Sequence, residues 1–282
     1  MNGTQWHEGF APEPAKNRGV PTGHPRTLTQ MGSVIAVANQ KGGVGKTTTA
    51  VNLGASIADA CYPTLLVDLD PQCNATVALG LPKDSTPNVY DCLSGELTLS
   101  AVAMPSGVEQ LDVVPSTPEL AGANVELPRI PGSETILRDR LGDVRERYLF
   151  TLLDCPPSLG PLTVNALVGA DKVIVPVQTE YFALEGLAQL LDTLSLIQRE
   201  LNPRLTVAGM ILTMHDGRTR LARDVEREVR EHFPELVFDT VVPRNVRLGE
   251  APSFGLPVLR HAPQSAGSAA YLRLAKEVAA RG

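Results

Sequence analysis

Apolar runs of strand length alternate along this chain with amphipathic stretches of helical period. Ser33-Val34-Ile35-Ala36-Val37-Ala38-Asn39-Gln40 is apolar and β-branched, the pattern of a buried strand. Behind it, Val51, Ala55 and Ala58 keep helical spacing. Further buried strands are predicted at 64–70, 111–116, 148–154, 172–177, 205–213 and 240–243. Helices are predicted over 134–147, where Ile136, Leu137, Leu141 and Val144 form one stripe, and over 184–201, where Leu184, Leu187, Leu191 and Leu194 align. Two more cover 217–233 and 266–280. Residues 82–110 read as mixed helix and loop, and 245–264 as an irregular segment rich in Pro and Gly. Alternating strands and helices without a repeat predict an α/β fold. The expected architecture is a single domain with a mostly parallel twisted sheet of about seven to eight strands flanked by helices.

Residues 1–31 break the pattern. Pro12, Pro14, Pro21 and Pro25 stand among polar residues with no period, so a disordered tail is expected, followed by a folded domain over 32–282. Met31-Gly32-Ser33 directly before the first strand reads as a natural start, which would make the tail a dispensable extension.

Composition narrows the function classes. The 282 residues are 43% hydrophobic, enough for one large core, and the formal charge is −6. That balance excludes a globally basic nucleic-acid binder but allows a local basic patch. The four cysteines form no C-x-x-C or finger pattern, so reduced thiols in a cytoplasmic protein are expected. No apolar run reaches the roughly 18 residues of a membrane span, and no secretory signal opens the chain.

The first strand runs into Lys41-Gly42-Gly43-Val44-Gly45-Lys46-Thr47-Thr48, which in turn opens a helix. Strand, glycine-rich turn and Gly-Lys-Thr form the setting of a phosphate-binding loop. Glycines let backbone N–H groups wrap a polyphosphate, and the helix N-terminus adds donors and positive dipole. Lys46 is placed to reach the β/γ-phosphates and Thr47 to ligate Mg²⁺. The general pattern expects glycine where Gln40 stands, and Lys41 is a second, unexplained lysine. Asp154 ends a buried strand, where such sites keep a Mg²⁺-supporting carboxylate. Asp68 and Asp70, two apart at another strand end, would share one face of a regular strand. Either could orient an attacking water, or both could be loop caps.

Together with Val67-Asp68-Leu69-Asp70-Pro71-Gln72 and Leu153-Asp154-Cys155-Pro156-Pro157-Ser158, this loop resembles the deviant Walker (MinD/ParA) ATPases. Four further stretches narrow the resemblance to the ParA (Soj-like) partitioning ATPases: residues 178–186, 216–219, 243–248 and 251–255. It spans residues 32 to about 281. The resemblance implies an ATPase with ATP and Mg²⁺ as cofactors. Lys41 matches the lysine that reaches the partner's phosphates in a nucleotide-dependent homodimer, where Gly42 is crowded. Gly43, Val44, Gly45, Lys46, Thr47 and Thr48 complete the cradle. Asp70 matches the residue needed for hydrolysis, alongside Lys41 and Lys46, and Asp154 the Mg²⁺ carboxylate. The stretches after Asp70 and Asp154 match two switch loops. Pro243 and Asn245 fall where relatives hold the adenine. Arg218 and Arg247 match arginines implicated in non-specific binding of double-stranded DNA. A ParB-type partner, a chromosome or plasmid cargo and a cytoplasmic, nucleoid-associated location follow, with no membrane attachment. Cys73 departs from the pattern, since relatives carry glycine there, and this bears on the shape of the first switch.

The residues add a feature of their own. On the helix from 218, Arg220, Arg223, Arg227 and Arg230 fall in one sector and Leu221, Val225 and Val229 in the opposite one. The stripe, with Arg223 at its middle, is either an extension of the DNA-contacting surface or a solvated face neutralised by Asp224, Glu228 and Glu231, with Glu226 pairing Arg230. Two other classes share the loop. A MinD-like membrane-cycling ATPase would need a bulky amphipathic C-terminal helix, whereas Tyr271, Leu274, Ala275 and Val278 predict a packed one. An iron–sulfur reductase would need a cluster cysteine besides Cys155.

Overall fold

The computed structural model describes residues 32–181 and 183–281; the predicted tail lies outside the described residues. Strand β1 (Ser33–Val37) leads through the glycine-rich loop into helix α1 (Lys46–Asp59). Strand β2 (Thr64–Asp68) and the short helix α2 (Asn74–Ala78) follow. Then come a hairpin of β3 (Met104–Val108) and β4 (Leu111–Val114), strand β5 (Phe150–Asp154) and helix α3 (Pro161–Gly169). Strand β6 (Lys172–Gln178), helix α4 (Ala183–Glu200), strand β7 (Thr206–His215) and helix α5 (Arg220–His232) continue the alternation. Strand β8 (Val237–Pro243), the short helix α6 (Val246–Glu250) and helix α7 (Ala266–Ala280) close it.

The eight strands form one sheet in the order β3-β4-β2-β5-β1-β6-β7-β8. Every pairing is parallel except β3 with β4, as the alternating pattern predicts. The central strands are apolar on both faces because helices cover both. Val34 and Ala36 of β1 pack with Leu167 of α3 and Leu190 of α4. Ile35 and Val37 pack on the other side with Leu53 and Ile57 of α1 and Leu274 of α7. Tyr271, Leu274, Ala275 and Val278 are all buried, and the Tyr271 hydroxyl meets Thr49 Oγ1 at 3.2 Å. The C-terminal helix is therefore core, and no described helix is long and apolar enough to cross a membrane.

Four elements differ from expectation, each for a local reason. The strand expected at 111–116 is the second arm of a hairpin whose turn sets Gly107 at φ 78° and Gln110 at φ 64°. Pro105 and Gly107 hid its first arm, which pairs only at the sheet edge where proline is tolerated. The helix expected over 134–147 is one short helix, Ile136–Arg140, between two 3-10 turns. Asp143 leaves the helical path to accept the Ser100 amide at 3.0 Å, while Leu137, Leu141 and Val144 still bury as one stripe. Strand β8 begins at Val237, before the predicted 240. Residues 246–254, expected to be irregular, are α6 followed directly by a 3-10 turn (Ala251–Phe254) that ends on Gly255 at φ 64°.

Candidate functional site

The loop between β1 and α1 leaves the carboxyl edge of the sheet between β5 and β6, the edge at which open α/β sheets bind ligands. Asn39 fixes its entry: its Nδ2 donates to the Pro176 carbonyl at 2.7 Å and its Oδ1 accepts the Lys41 amide at 3.0 Å. Gly43 (φ 75°) and Gly45 (φ 88°) turn the backbone through the left-handed region, which only glycine adopts freely. Thr213 near the end of β7 donates to the Val44 carbonyl at 2.8 Å, tying the loop to a strand two places from β1 in the same sheet. Lys46 is buried, and its Nζ donates to the Lys41 carbonyl at 2.9 Å. Burial lowers its pKa, against the opposing pull of Asp154, Cys155 and Asp70. Lys41 instead faces outward, its Nζ 3.4 Å from Glu180 Oε2. Gly42 is exposed, and a Cβ there would touch only Pro157 at 4.0 Å, so nothing within the chain requires glycine at that position.

Two carboxylates lie behind the loop. Asp68 and Asp154 are register partners on β2 and β5, so both point to the same face, and both are fully buried. Asp68 is saturated: Oδ2 accepts the Thr76 amide (2.8 Å) and hydroxyl (2.7 Å), and Oδ1 accepts the Asp70 amide (3.1 Å). Burial nevertheless pushes its pKa up to about 6. Neither oxygen of Asp154 has a hydrogen-bond partner. Its pKa is driven well up, first by burial and then by Asp68, with only partial relief from the neighbouring Thr47 hydroxyl, which lies outside hydrogen-bonding geometry, and from Lys46. An unpartnered buried carboxylate beside a threonine hydroxyl at a phosphate loop is a fitting donor set for Mg²⁺, which takes few protein ligands and keeps phosphate oxygens and waters. Among the described residues, no group of three His, Cys, Asp or Glu is arranged to hold a metal ion.

Asp68 and Asp70 do not share a strand face. Strand β2 ends at Asp68, which turns to Thr76 instead of toward the loop. Asp70 lies in the following turn, largely buried, with its Oδ1 accepting the Gln72 amide at 2.9 Å and its carbonyl accepting Ser116 Oγ at 2.8 Å. The turn closes on Cys73, which adopts φ 59°, ψ 31° as the residue before α2. A left-handed cysteine explains why glycine suits this position.

Beside the loop is a cavity of about 190 Å³ lined by Gly45, Thr48, Met214, Pro243, Asn245 and Tyr271 among others. Pro243 and Asn245 thus share its lining with the start of α1. Met214 and Tyr271 were not anticipated. Met214 follows the last core residues of β7 and adopts φ 51°, a backbone turn that no sequence pattern announces. Tyr271 reads only as an apolar helix position.

The predicted DNA-contacting arginines are held by their own chain. Arg218 forks onto Asp216, with Nε and Nη2 both at 2.8 Å, and this holds the Asp216 carboxyl down at about 2. Arg247 Nη1 donates to Glu250 at 2.7 Å. Arg223 Nη1 donates to the Gly217 carbonyl at 2.6 Å. Arg220, Arg227 and Arg230 pair with Asp224, Asp224 and Glu226, respectively. The buried face of α5 is Ala222, Val225 and Val229, whereas Leu221, expected on the apolar side, is exposed. Leu221 stands in the first turn after the Thr219 cap, about 80–100° around the helix from Val229 and Ala222, and so falls at the margin of the buried face.

Residues 32–207 match the AAA domain family. The sporulation initiation inhibitor protein Soj of Bacillus subtilis is 51% identical over 253 residues, covering 89% of this chain and 100% of that protein. The chromosome-partitioning ATPase Soj of Thermus thermophilus is 56% identical over 247 residues, covering 88% and 95%. The chain belongs to the Soj/ParA family of chromosome-partitioning ATPases. The Soj/ParA fold seen here also resembles the crystal structure of cobyrinic acid a,c-diamide synthase from Mycobacterium smegmatis with bound ADP and magnesium. That structure has a TM-score of 0.76 and 37% identity, over 87% of this chain and 93% of that one. For a Soj/ParA chain, the phosphate loop, with Asp154 behind it and the cavity beside Gly45, is the candidate nucleotide site.

Proposed function

We propose that this Soj/ParA-family ATPase is an ATP-gated DNA-partitioning switch. Its nucleotide-sandwich dimer binds DNA without sequence preference and is released by hydrolysis that a ParB-type partner stimulates. The observation that carries the reading is the division of labour between two lysines in one loop. Lys46 is buried inside the cradle, whereas Lys41 faces solvent beside a glycine that the chain itself does not need. A lysine and a bare backbone facing outward are suited to the triphosphate of a second copy. That arrangement makes ATP part of the dimer interface.

The chain's own groups divide the remaining work. The loop amides and Lys46 hold the β/γ-phosphates, and the cavity at Pro243 and Asn245 takes the adenine. Thr47 and Asp154 hold Mg²⁺, which would neutralise charge on the phosphates. Asp70, fixed by the Gln72 amide and Ser116, orients the attacking water. Arg218, Arg247 and Arg223 exchange their in-chain acceptors for DNA phosphates, giving contacts that are steeply salt-sensitive. The action is cytoplasmic and nucleoid-associated; the C-terminal helix is buried against the domain and offers no free apolar face to a membrane.

The deciding experiment measures DNA binding with ADP, ATP and a slowly hydrolysed ATP analogue, on wild type and Arg247→Ala. Binding that needs ATP or the analogue and is lost in the variant supports the reading. Binding to anionic liposomes but not DNA would replace it with a membrane cycle. Residues 32–282 are proposed to suffice, so deletion of 1–31 should leave both ATPase and DNA binding intact.

A further inference from the structure

Two glycines far apart in sequence meet backbone to backbone beside the first switch. Gly80 ends the segment that carries α2, at φ 81°, and Gly255 ends the helical segment 246–254, at φ 64°. A Cβ built on Gly255 would lie 2.6 Å from Gly80 Cα, and one built on Gly80 would lie 3.3 Å from the Gly255 carbonyl oxygen. Both residues therefore use a conformation that favours glycine, and they approach more closely than side chains allow.

Each glycine is the end of a stiff lever. On one side, α2 is anchored at Asp68 through the Thr76 amide and hydroxyl, and Thr76 Oγ1 accepts the Ser116 amide at 2.9 Å. Ser116 in turn donates to the Asp70 carbonyl, so the hydrolytic turn and α2 form one hydrogen-bonded unit. The Gly80 amide donates to the Val77 carbonyl at 2.9 Å and the Leu81 amide to the Thr76 carbonyl at 3.1 Å, so the unit closes around Gly80. On the other side, α6 (Val246–Glu250) runs without a break into the 3-10 turn Ala251–Phe254. Arg247 and Glu250 pair along it, and Phe254 stacks on His261 at 4.7 Å. A contact between two backbones cannot be absorbed by a rotamer change, so displacement at one lever moves the other.

We propose that the Gly80–Gly255 contact relays the state of the first switch to Arg247, making DNA affinity depend on nucleotide through this joint. The proposal rests on the DNA-binding reading above for its output, but the joint can be tested apart from DNA.

Two measurements decide it. In the wild-type chain, hydrogen exchange with the slowly hydrolysed analogue against ADP should change at 74–80 and at 246–254 together. A change at 74–80 with none at 246–254 would overturn the relay whether or not the protein binds DNA. In Gly80→Ala, the ratio of DNA affinities with analogue and with ADP should fall by about fivefold or more. Gly107→Ala serves as control: Gly107 has a similar φ of 78° but nothing within 4 Å, so it carries the backbone strain without the contact. An unchanged ratio in a folded Gly80→Ala protein, or an equal fall in Gly107→Ala, would also overturn the proposal. Should Gly80→Ala fail to fold, the exchange measurement decides alone. A wild-type chain that binds no DNA with any nucleotide refutes the DNA reading and leaves the exchange result to judge the joint.

Discussion

Asp68 and Asp154 stand opposite each other on β2 and β5 with no exposure to water, and only Asp68 is supplied with donors. Folding raises both pKa values above the ordinary carboxylate range, so between about pH 4 and 6 the folded chain holds protons that the unfolded chain has lost. The stability these groups contribute to the metal-free protein is therefore full below about pH 4 and is lost as pH rises to about 6 and above. Asp154→Asn removes the unpartnered charge and should stabilise the metal-free protein at neutral pH by about 1–3 kcal/mol. The same variant should lose most of the added stability that Mg²⁺ and nucleotide confer on wild type. Thermal melts with and without Mg²⁺ and ATP check both halves; a destabilised metal-free variant would show that Asp154 has a structural partner.

The pair of Lys41 with Glu180 is exposed on both sides and contributes about 0–1 kcal/mol, weak enough to yield to a triphosphate. Lys41→Ala should leave ADP binding by the single chain unchanged and abolish ATP-dependent dimerisation in sedimentation velocity. Lys46→Ala should instead weaken nucleotide binding itself by about tenfold or more, because it removes a charge-assisted contact inside the cradle. Equal losses in both assays for both variants would refute the division between the two lysines.

The phosphate loop was legible because its chemistry is local: strand, glycines, lysine and helix start are contiguous, and Gly43 and Gly45 do adopt the conformation their type permits. The parallel sheet was legible because its strands are apolar on both faces. The cavity beside Gly45 was only half legible, since Met214 and Tyr271 arrive from β7 and α7 and carry no motif. The edge arm β3 was hidden by Pro105 and Gly107, which weaken a central strand but suit an edge. The shared face expected for Asp68 and Asp70 failed because strand geometry ends at Asp68, where Thr76 captures the carboxylate.

Cys73 occupies a left-handed backbone position, fully buried, with its Sγ 3.3 Å from the Pro71 carbonyl oxygen. Replacing it by glycine relieves the conformation but removes packed sulfur, so the two effects oppose. Comparing glycine with alanine isolates the backbone: Cys73→Gly should be more stable than Cys73→Ala by about 1 kcal/mol. Urea denaturation of the two variants measures the difference directly. Equal stability would mean that the turn relaxes when the sulfur is gone.

Arg223 decides whether the arginine stripe of α5 belongs to the DNA surface. Its guanidinium donates to the Gly217 carbonyl, a backbone acceptor next to Arg218, although Arg223 also borders the groove that holds Glu226 and Glu231. Arg227 and Arg230, by contrast, are paired with the carboxylates of Asp224, Glu231 and Glu226. The DNA surface should therefore include the N-terminal end of α5 and fade along it. Arg223→Glu should weaken ATP-dependent binding to any duplex sequence and lower the slope of log affinity against log salt by about one. Arg230→Ala, which leaves Glu226 with His215 alone, should change neither by a comparable amount. Nucleotide affinity should stay constant in both. Unchanged duplex affinity of Arg223→Glu at low salt would return the whole stripe to the role of a solvated face.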